Sequence, residues 1–208
     1  MLTAIRKNGL ILAIFACAST GVVAVTQYLT ADRIQAQQTA QLLAVLNQVI
    51  PADLHDNPLS SACTLVSDPR LGTNQAMPVY LATLDGEPTA LAIETIAPDG
   101  YSGAIKLIVG IDQQGKILGT RVLNHQETPG LGDKIDLRVS DWILSFNGRQ
   151  LTESNHQQWQ VRKDGGQFDQ FTGATITPRA VVKAVKQAVE YVNLHREHII
   201  KQPFNCGD

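Results

Sequence analysis

Residues 79–123 read VYLATLDGEPTALAIETIAPDGYSGAIKLIVGIDQQGKILGTRVL, and this stretch decides the fold class. Runs rich in Val, Ile, Leu and Thr occupy 79–84, 89–95, 103–111 and 117–123, and DG, PDG and DQQG turns separate them. Short runs of this kind, joined by such turns, predict antiparallel hairpins and not strands that alternate with helices. We therefore expect a mainly antiparallel sheet.

The sequence on either side of these runs is less regular. Residues 141–146 and 159–161 are weaker strand candidates with a polar loop between them. Residues 52–77 are expected to be irregular, because Pro and Gly interrupt them repeatedly.

Helices are predicted near both ends of the chain. Residues 31–50 have an apolar helical stripe, and the helix should end at Pro51. A second stripe predicts a helix over 178–196, with Thr177 as N-cap and Pro178 in the first helical position. The predicted fold class is α+β, a mainly antiparallel sheet with flanking helices.

The N-terminal segment is long and apolar enough to cross a membrane. Residues 9–29 read GLILAIFACASTGVVAVTQYL, and about 20 apolar residues suffice for a transmembrane helix. Arg6 and Lys7 precede it, so the positive-inside rule keeps the N-terminus in the cytoplasm and exports the rest. A cleaved signal peptide, including lipoprotein processing before Cys17, is the alternative, and it exports the same domain.

Composition argues against several classes of function. The net charge is -2 and no Lys/Arg-rich stripe occurs, so nucleic acid is not an expected partner. Neither GxGxxG nor GxxxxGK[ST] is present, so ordinary dinucleotide or P-loop binding is not indicated. No acid–base cluster or metal-ligand spacing stands out, so we predict no catalytic residue and no metal site.

The exported part contains two cysteines, Cys63 and Cys206. An even pair in an oxidising compartment favours a disulfide. A metal site is the rival interpretation, but neither cysteine has a His or Cys at ligand spacing.

The segment with the clearest chemical content is 169–178, DQFTGATITP. Gly173 and Ala174 allow a second molecule to approach the backbone closely. The predicted helix start beyond them offers free N–H groups suited to a phosphate, and Thr175 presents a hydroxyl just before it. A plainer interpretation is that the threonines at 172, 175 and 177 only cap and turn the chain.

This segment resembles the flavinylation motif of the FMN-binding domain family. In that family a flavin transferase takes FMN from FAD and esterifies its phosphate to the threonine that matches Thr175. The resemblance therefore implies FMN as a covalently bound cofactor and a flavin transferase as a maturation partner. The other motif positions are matched by Asp169, Thr172, Gly173, Ala174 and Thr177.

Two further loops are similar to loops of the same family. Residues 125–132, HQETPGLG, resemble its Glu-Thr-Pro-Gly-Leu-Gly loop, which implies that Glu127, Thr128 and Leu131 are neighbours of the flavin ring. Residues 99–103, DGYSG, match a family loop near the flavin and add Tyr101 and Ser102.

Across essentially its whole length, the chain is similar to the G subunits of Rnf electron-transport complexes and of the related SoxR-reducing complex. That resemblance implies an electron carrier in a bacterial inner-membrane translocase that couples ferredoxin/NAD electron transfer to ion movement, with other membrane subunits as partners. The alternatives are the flavin-carrying C subunit of a sodium-pumping NADH:quinone reductase, a stand-alone membrane-tethered flavin reductase, or a non-redox binding module.

These expectations divide the chain into four segments. They are a cytoplasmic N-terminus over 1–8, a transmembrane helix over 9–29, a helical and irregular lead-in over 30–77, and a periplasmic FMN-binding domain over 78–208.

Overall fold

The computed structural model describes residues 2–206. The described residues do not include Met1, Gly207 and Asp208, which belong to the predicted segments 1–8 and 78–208. The side chains of residues 2–4, Asp32 and Gln35 also lie outside the described part of the chain. The chain divides into two compact units, residues 1–42 and residues 43–208.

The first unit consists of helix. The helix α1, Leu2–Val49, begins there, and its part Ile5–Ala31 has a mean hydropathy of 2.2. By length and composition this part is a candidate membrane span, since it exceeds the roughly 20 residues that a bilayer requires. The predicted span 9–29 falls inside it, and the helix predicted over 31–50 is the continuation of α1, which ends two residues before Pro51.

The second unit contains a five-stranded antiparallel sheet in which each strand pairs with its neighbour in sequence. A long helix, α2, follows at Ile176–Ile200. The α+β class and the four predicted strands are confirmed. The strands are β1 Cys63–Val66, β2 Met77–Leu84, β3 Glu87–Ala97, β4 Ile105–Asp112 and β5 Ile117–Asn124.

One face of the sheet packs against α2. Alternate residues of a strand point to the same face, so Leu91 and Ile93 of β3 share the core with Leu107 and Val109 of β4. The apolar stripe of α2 covers them and is fully buried. Its members include Val181, Val185, Ala188, Val189 and Val192.

The other face of the sheet receives the end of α1. Gly110 and Gly119 pair across β4 and β5, and the backbone of Val49 lies directly above both. A Cβ on Gly110 would stand 2.0 Å from the Val49 carbonyl oxygen. The two glycines therefore form a groove for the helix end, and Leu46, Val49 and Ile50 are completely buried there.

Gly110→Ala should destabilise this unit by about 3 kcal/mol, because the added methyl meets backbone that cannot rotate away. Urea unfolding of the detergent-solubilised chain measures the change. Gly86→Ala is the control: a Cβ added at Gly86 would meet no atom within 4 Å, so only its left-handed φ of 81° is penalised, by about 1 kcal/mol. Equal losses in both variants would contradict the proposed groove.

Two of the predicted strands are wrong. Residues Asp141–Phe146 form a 3-10 helix whose N-cap hydroxyl, on Ser140, accepts from the backbone N–H of Trp142. Residues 159–161 are loop, apart from a single bridge between Val161 and Phe168. Both segments adopt these conformations because their aromatic rings pack into one cluster, which an extended strand would separate. The cluster consists of Trp142, Phe146, Trp159, Phe168 and Phe171.

The lead-in region 52–77 is more ordered than expected, because it contains the edge strand β1. A disulfide joins Cys63 of β1 to Cys206, the pair that the sequence favoured. The C-terminal segment continues the pairing, since the backbone N–H of Asn205 donates to the Cys63 carbonyl at 2.9 Å and its side-chain oxygen accepts from Leu65 N–H at 2.8 Å. The tail thus covers the free edge of β1, whose N–H and C=O groups would otherwise remain unpaired.

Candidate functional site

Three segments that are distant in sequence meet at the carboxyl group of Glu127. Its Oε1 accepts from the backbone N–H of Ser102 at 3.0 Å, and its Oε2 accepts from the Thr177 hydroxyl at 2.6 Å. The loops 99–103 and 125–132 are thereby joined to the first turn of α2. Glu127 is only 5% exposed, so its carboxyl group lies beneath the surface that these segments form.

The loop that carries Glu127 is held in place by contacts between His125 and Asp136. The Asp136 carboxylate accepts from the Arg138 guanidinium at 2.5 Å, and this hydrogen bond lowers the pKa of Asp136. His125 Nε2 lies 3.7 Å from the same carboxylate, while His125 Nδ1 accepts from the Glu127 N–H at 3.1 Å. Because Nδ1 accepts this hydrogen bond, Nε2 is the ring nitrogen that can donate toward Asp136. These contacts link the buried Asp136 to the backbone of Glu127.

Thr175 is the N-cap residue of α2 and is half-buried. Its hydroxyl makes no capping hydrogen bond, so the helix does not use it. Gly173, two residues earlier, has a φ of 80°, a left-handed conformation that glycine adopts without strain. The chain reaches the helix through this turn and leaves the Thr175 side chain beside the free N–H groups of the first helical turn.

The predicted start of this helix is wrong by two residues. Thr177 was expected as N-cap and Pro178 as the first helical residue, but α2 begins at Ile176. Pro178 still fits, because the first-turn N–H that it lacks has no partner within the helix. Thr177 is completely buried and donates its hydroxyl to Glu127 in place of capping. The role of Thr177 therefore depends on the Glu127 carboxylate, which lies 50 residues away in the sequence.

Exposed apolar side chains lie on the segments that meet at Glu127. Leu131 and Tyr101 are 43% and 68% exposed, and Ile176 is 47% exposed. The Leu131 Cδ2 atom lies 3.8 Å from the position of a Cβ on Gly173, so the 125–132 loop directly contacts the motif. Thr128 is exposed in the same loop, and Ser102 is half-buried beside Tyr101. Leu131, Tyr101 and Ile176 thus give these segments exposed apolar surface, which suits a planar ring.

The first residues of the motif face outward. The Asp169 side chain is exposed and pairs with Arg162 at 2.9 Å, while its backbone carbonyl accepts from the Trp142 indole N–H at 2.8 Å. Thr172 and Gly173 are exposed, and Ala174 is half-buried. Phe171 anchors the segment by packing edge-on against Trp142, with ring centroids 5.2 Å apart.

A cavity of about 500 Å³ adjoins this surface and includes residues that the sequence did not single out. Ile176 lines it together with Arg179 and Lys183 of α2. Arg179 pairs with Asp164 at 2.5 Å and lowers the pKa of that carboxyl group, and Lys183 pairs with Asp99 at 2.6 Å. The spacing of Arg179 and Lys183, one helical turn apart, is the sequence signal that could have identified this side of the helix.

Comparisons with known proteins agree with this geometry. Residues 100–190 match the model of the FMN-binding domain family, and residues 1–49 match that of the RnfG N-terminal region. The first match contains Ser102, Glu127 and Thr177, the residues through which the three segments meet. It supports FMN as the cofactor, as the sequence predicted, and the threonine, glycine and apolar residues around Thr175 fit such a group.

Several relatives, each named as the G subunit of an ion-translocating oxidoreductase complex, are similar to the chain over its whole length. The protein of Vibrio atlanticus (strain LGP32) is 72% identical over 207 residues, which cover 100% of this chain and 99% of the relative. That of Shewanella oneidensis (strain MR-1) is 59% identical, covering 96% and 95%. The Aliivibrio fischeri (strain MJ11) protein is 57% identical, covering 99% of both. With this identity and coverage, the chain belongs to the family of G subunits of ion-translocating oxidoreductase complexes.

Proposed function

We propose that the chain carries FMN as a phosphoester on Thr175 and passes electrons between other subunits of a membrane-bound, ion-translocating oxidoreductase complex. The observation that carries this proposal is the position of Thr175, whose hydroxyl is not used for capping at the start of a 25-residue helix. A phosphate on that oxygen would meet the unpaired N–H groups and the positive end of the helix dipole.

The attachment reaction is a phosphoryl-type transfer from FAD by a flavin transferase. The Thr175 oxygen forms a bond to the phosphorus on the FMN side of the pyrophosphate. The bond from that phosphorus to the bridging oxygen breaks, AMP leaves, and the hydroxyl proton passes to solvent or to a base of the transferase. Asp169, Thr172 and Gly173 are exposed beside the acceptor, as recognition by a second protein requires.

FMN supplies one- or two-electron transfer when it is bound. The chain's own residues would hold and shield it. Leu131 and Tyr101 would offer apolar surface to the ring, and Thr128 and Ser102 would offer hydroxyl groups to its polar atoms. Thr175 would act as a tether and take no part in acid–base chemistry, so the protein tunes the ring through contacts alone.

We also propose a location for the domain. The apolar segment 9–29, within the candidate span Ile5–Ala31, would cross the bacterial inner membrane, with residues 1–8 in the cytoplasm and the flavin domain, within 78–208, in the periplasm. Arg6 and Lys7 on the N-terminal side favour this orientation, and the disulfide between Cys63 and Cys206 suits an oxidising compartment. Residues 30–77 would link the membrane span to that domain, and the strand β1 within them is part of the domain's sheet.

The partners follow from the family. The complex would couple electron transfer between ferredoxin and NAD to ion movement, or would keep the SoxR sensor reduced. Tethering the flavin at the membrane raises its effective concentration near the other membrane subunits. A flavin that diffuses freely in solution would not gain this advantage.

Intact-mass spectrometry of the protein from cells that contain a flavin transferase tests the cofactor assignment. The expected mass exceeds that of the polypeptide by one FMN less one water, and the peptide containing Thr175 should carry the whole increment. An unmodified Thr175 peptide from such cells would refute the assignment.

Labelling with a membrane-impermeant maleimide tests the orientation. In a Cys17→Ser background, Asn74→Cys is expected to react in intact spheroplasts, because Asn74 is an exposed loop residue of the second unit. Lys7→Cys should react only after lysis. The reverse pattern would place the flavin domain in the cytoplasm.

A further inference from the structure

The carboxyl group of Glu127 is buried and bonds to two other segments of the chain. The loop resemblance suggested contact with the flavin ring, but Glu127 is 5% exposed and both of its oxygens are occupied by other groups of the chain. A side chain in this position does not offer a surface to a ring. It instead connects backbone segments that approach from three parts of the sequence.

Two glycines show how closely the chain is packed around this group. A Cβ on Gly100 would lie 2.9 Å from Glu127 Oε1, and a Cβ on Gly132 would lie 2.6 Å from Oε2. The second position would also be 2.8 Å from the Thr177 hydroxyl. The carboxyl group thus fills the space between the 99–103 loop, its own loop and α2, and the glycines leave room for it.

The charged residues near Glu127 also favour a connecting role for its carboxylate over a role in an ion pair. Among residues 2–206, no Lys, Arg or His nitrogen lies within 4.0 Å of the Glu127 carboxylate. Its partners are the backbone N–H of Ser102 and the hydroxyl of Thr177. Thr177 lies in the N-terminal turn of α2, where the helix dipole favours a negative group. Hydrogen bonds to these donors are directional, so they set the distance between the 99–103 loop and the first turn of α2.

We propose that Glu127 is the positioning residue of the flavin-attachment site, which holds the first turn of α2 and the 99–103 loop in register so that the Thr175 hydroxyl is presented to the transferase. This inference rests on the proposed role of Thr175 as the flavin acceptor. Thr177 lies two residues from Thr175, so releasing its hydroxyl from Glu127 frees the turn that carries the acceptor. A displacement of about 1 Å at a reacting group can slow a reaction by about a hundredfold.

Substitutions at Glu127 separate hydrogen bonding from charge. In Glu127→Gln the amide oxygen can accept from Ser102 N–H, and the amide N–H can donate to a rotated Thr177 hydroxyl, so both links persist without the charge. Glu127→Ala loses both links. The full chain, purified in detergent before flavin attachment, is incubated with purified flavin transferase and FAD, and the rise of protein-bound fluorescence gives the transfer rate.

We expect Glu127→Ala to slow transfer by about tenfold or more, and Glu127→Gln to restore a rate close to that of the wild type. Thr177→Val should slow transfer as Glu127→Ala does, whereas Thr177→Ser, which keeps the hydroxyl, should not. Thermal unfolding of each variant shows that the chain is folded at the assay temperature. The double variant Cys63→Ser/Cys206→Ser is the control for lost stability alone, and it should transfer at the wild-type rate while folded.

A wild-type rate in Glu127→Ala, or an equal loss in Glu127→Ala and Glu127→Gln, would overturn the inference. These outcomes differ from a failure of the proposed function. If the wild-type chain itself accepts no FMN on Thr175, the function is wrong; if the wild type is loaded and Glu127→Ala is loaded equally fast, only the role of Glu127 is wrong.

Discussion

Thr175→Ala should give a folded protein that carries no covalently bound flavin. The substitution removes the only oxygen through which the proposed ester forms, so the loss should be complete and not graded. It should hardly affect stability, because the Thr175 side chain is half-buried and makes no capping hydrogen bond. Ultraviolet fluorescence of the protein band after denaturing electrophoresis measures the attachment.

Neighbouring threonines make this experiment specific. Thr172 is exposed and lies in the same motif, whereas Thr177 is buried and donates its hydroxyl to Glu127. Thr172 is therefore the hydroxyl that could accept the flavin if the transferase used any exposed threonine of the motif and not Thr175 alone. A fluorescent band in Thr175→Ala would refute the assignment, and peptide mapping would then identify the true acceptor. Thr152→Ala, which removes an exposed threonine outside the motif, is the matched control and should remain fluorescent.

Removal of the disulfide should have the largest effect on stability. Cys63 and Cys206 are 143 residues apart, and closing so long a loop restricts the unfolded chain severely. We expect the double variant Cys63→Ser/Cys206→Ser to lose about 4 kcal/mol of unfolding free energy. The bridge also holds the C-terminal segment against β1, so its loss should expose that edge as well.

Urea unfolding of the detergent-solubilised chain measures this loss, and a reducing agent should produce the same shift in the wild type. Cys17→Ser is the matched control, since Cys17 is exposed within the candidate span and lies outside the bridge. An unchanged midpoint in the double variant would show that hydrogen bonds alone secure the tail. A large shift in Cys17→Ser would contradict the assignment of the stabilising pair.

The strands from β2 to β5 were predictable because their information is local. Each is a β-rich run that ends at its own turn residues, such as the Asp85-Gly86 pair between β2 and β3. The strand β1 was not predictable in this way. It has four residues, and its strand conformation depends on pairing with β2 and on the bridge to Cys206. Likewise, Asp141–Phe146 has a strand-like composition but takes a 3-10 helix because its rings pack into an aromatic cluster.

The candidate site shows the same division. The motif 169–178 predicted Thr175 as the flavin acceptor and FMN as the cofactor, and the family match confirms FMN. That motif could not show that Thr177 is buried or that it bonds to Glu127, 50 residues away. Nor could it identify Arg179 and Lys183 as residues that line a cavity together with Ile176, since their exposure depends on which face of α2 covers the sheet.

The sequence by itself determined the apolar N-terminal helix, the antiparallel strands and the motif 169–178 that resembles a flavin-binding family, because each depends on residues that are close together along the chain. Only the tertiary structure decided that Glu127 lies beneath the site, that α1 ends in a groove of two glycines, and that the C-terminal tail closes the sheet edge. These features are contacts between distant segments, and they exist only once packing has brought those segments together.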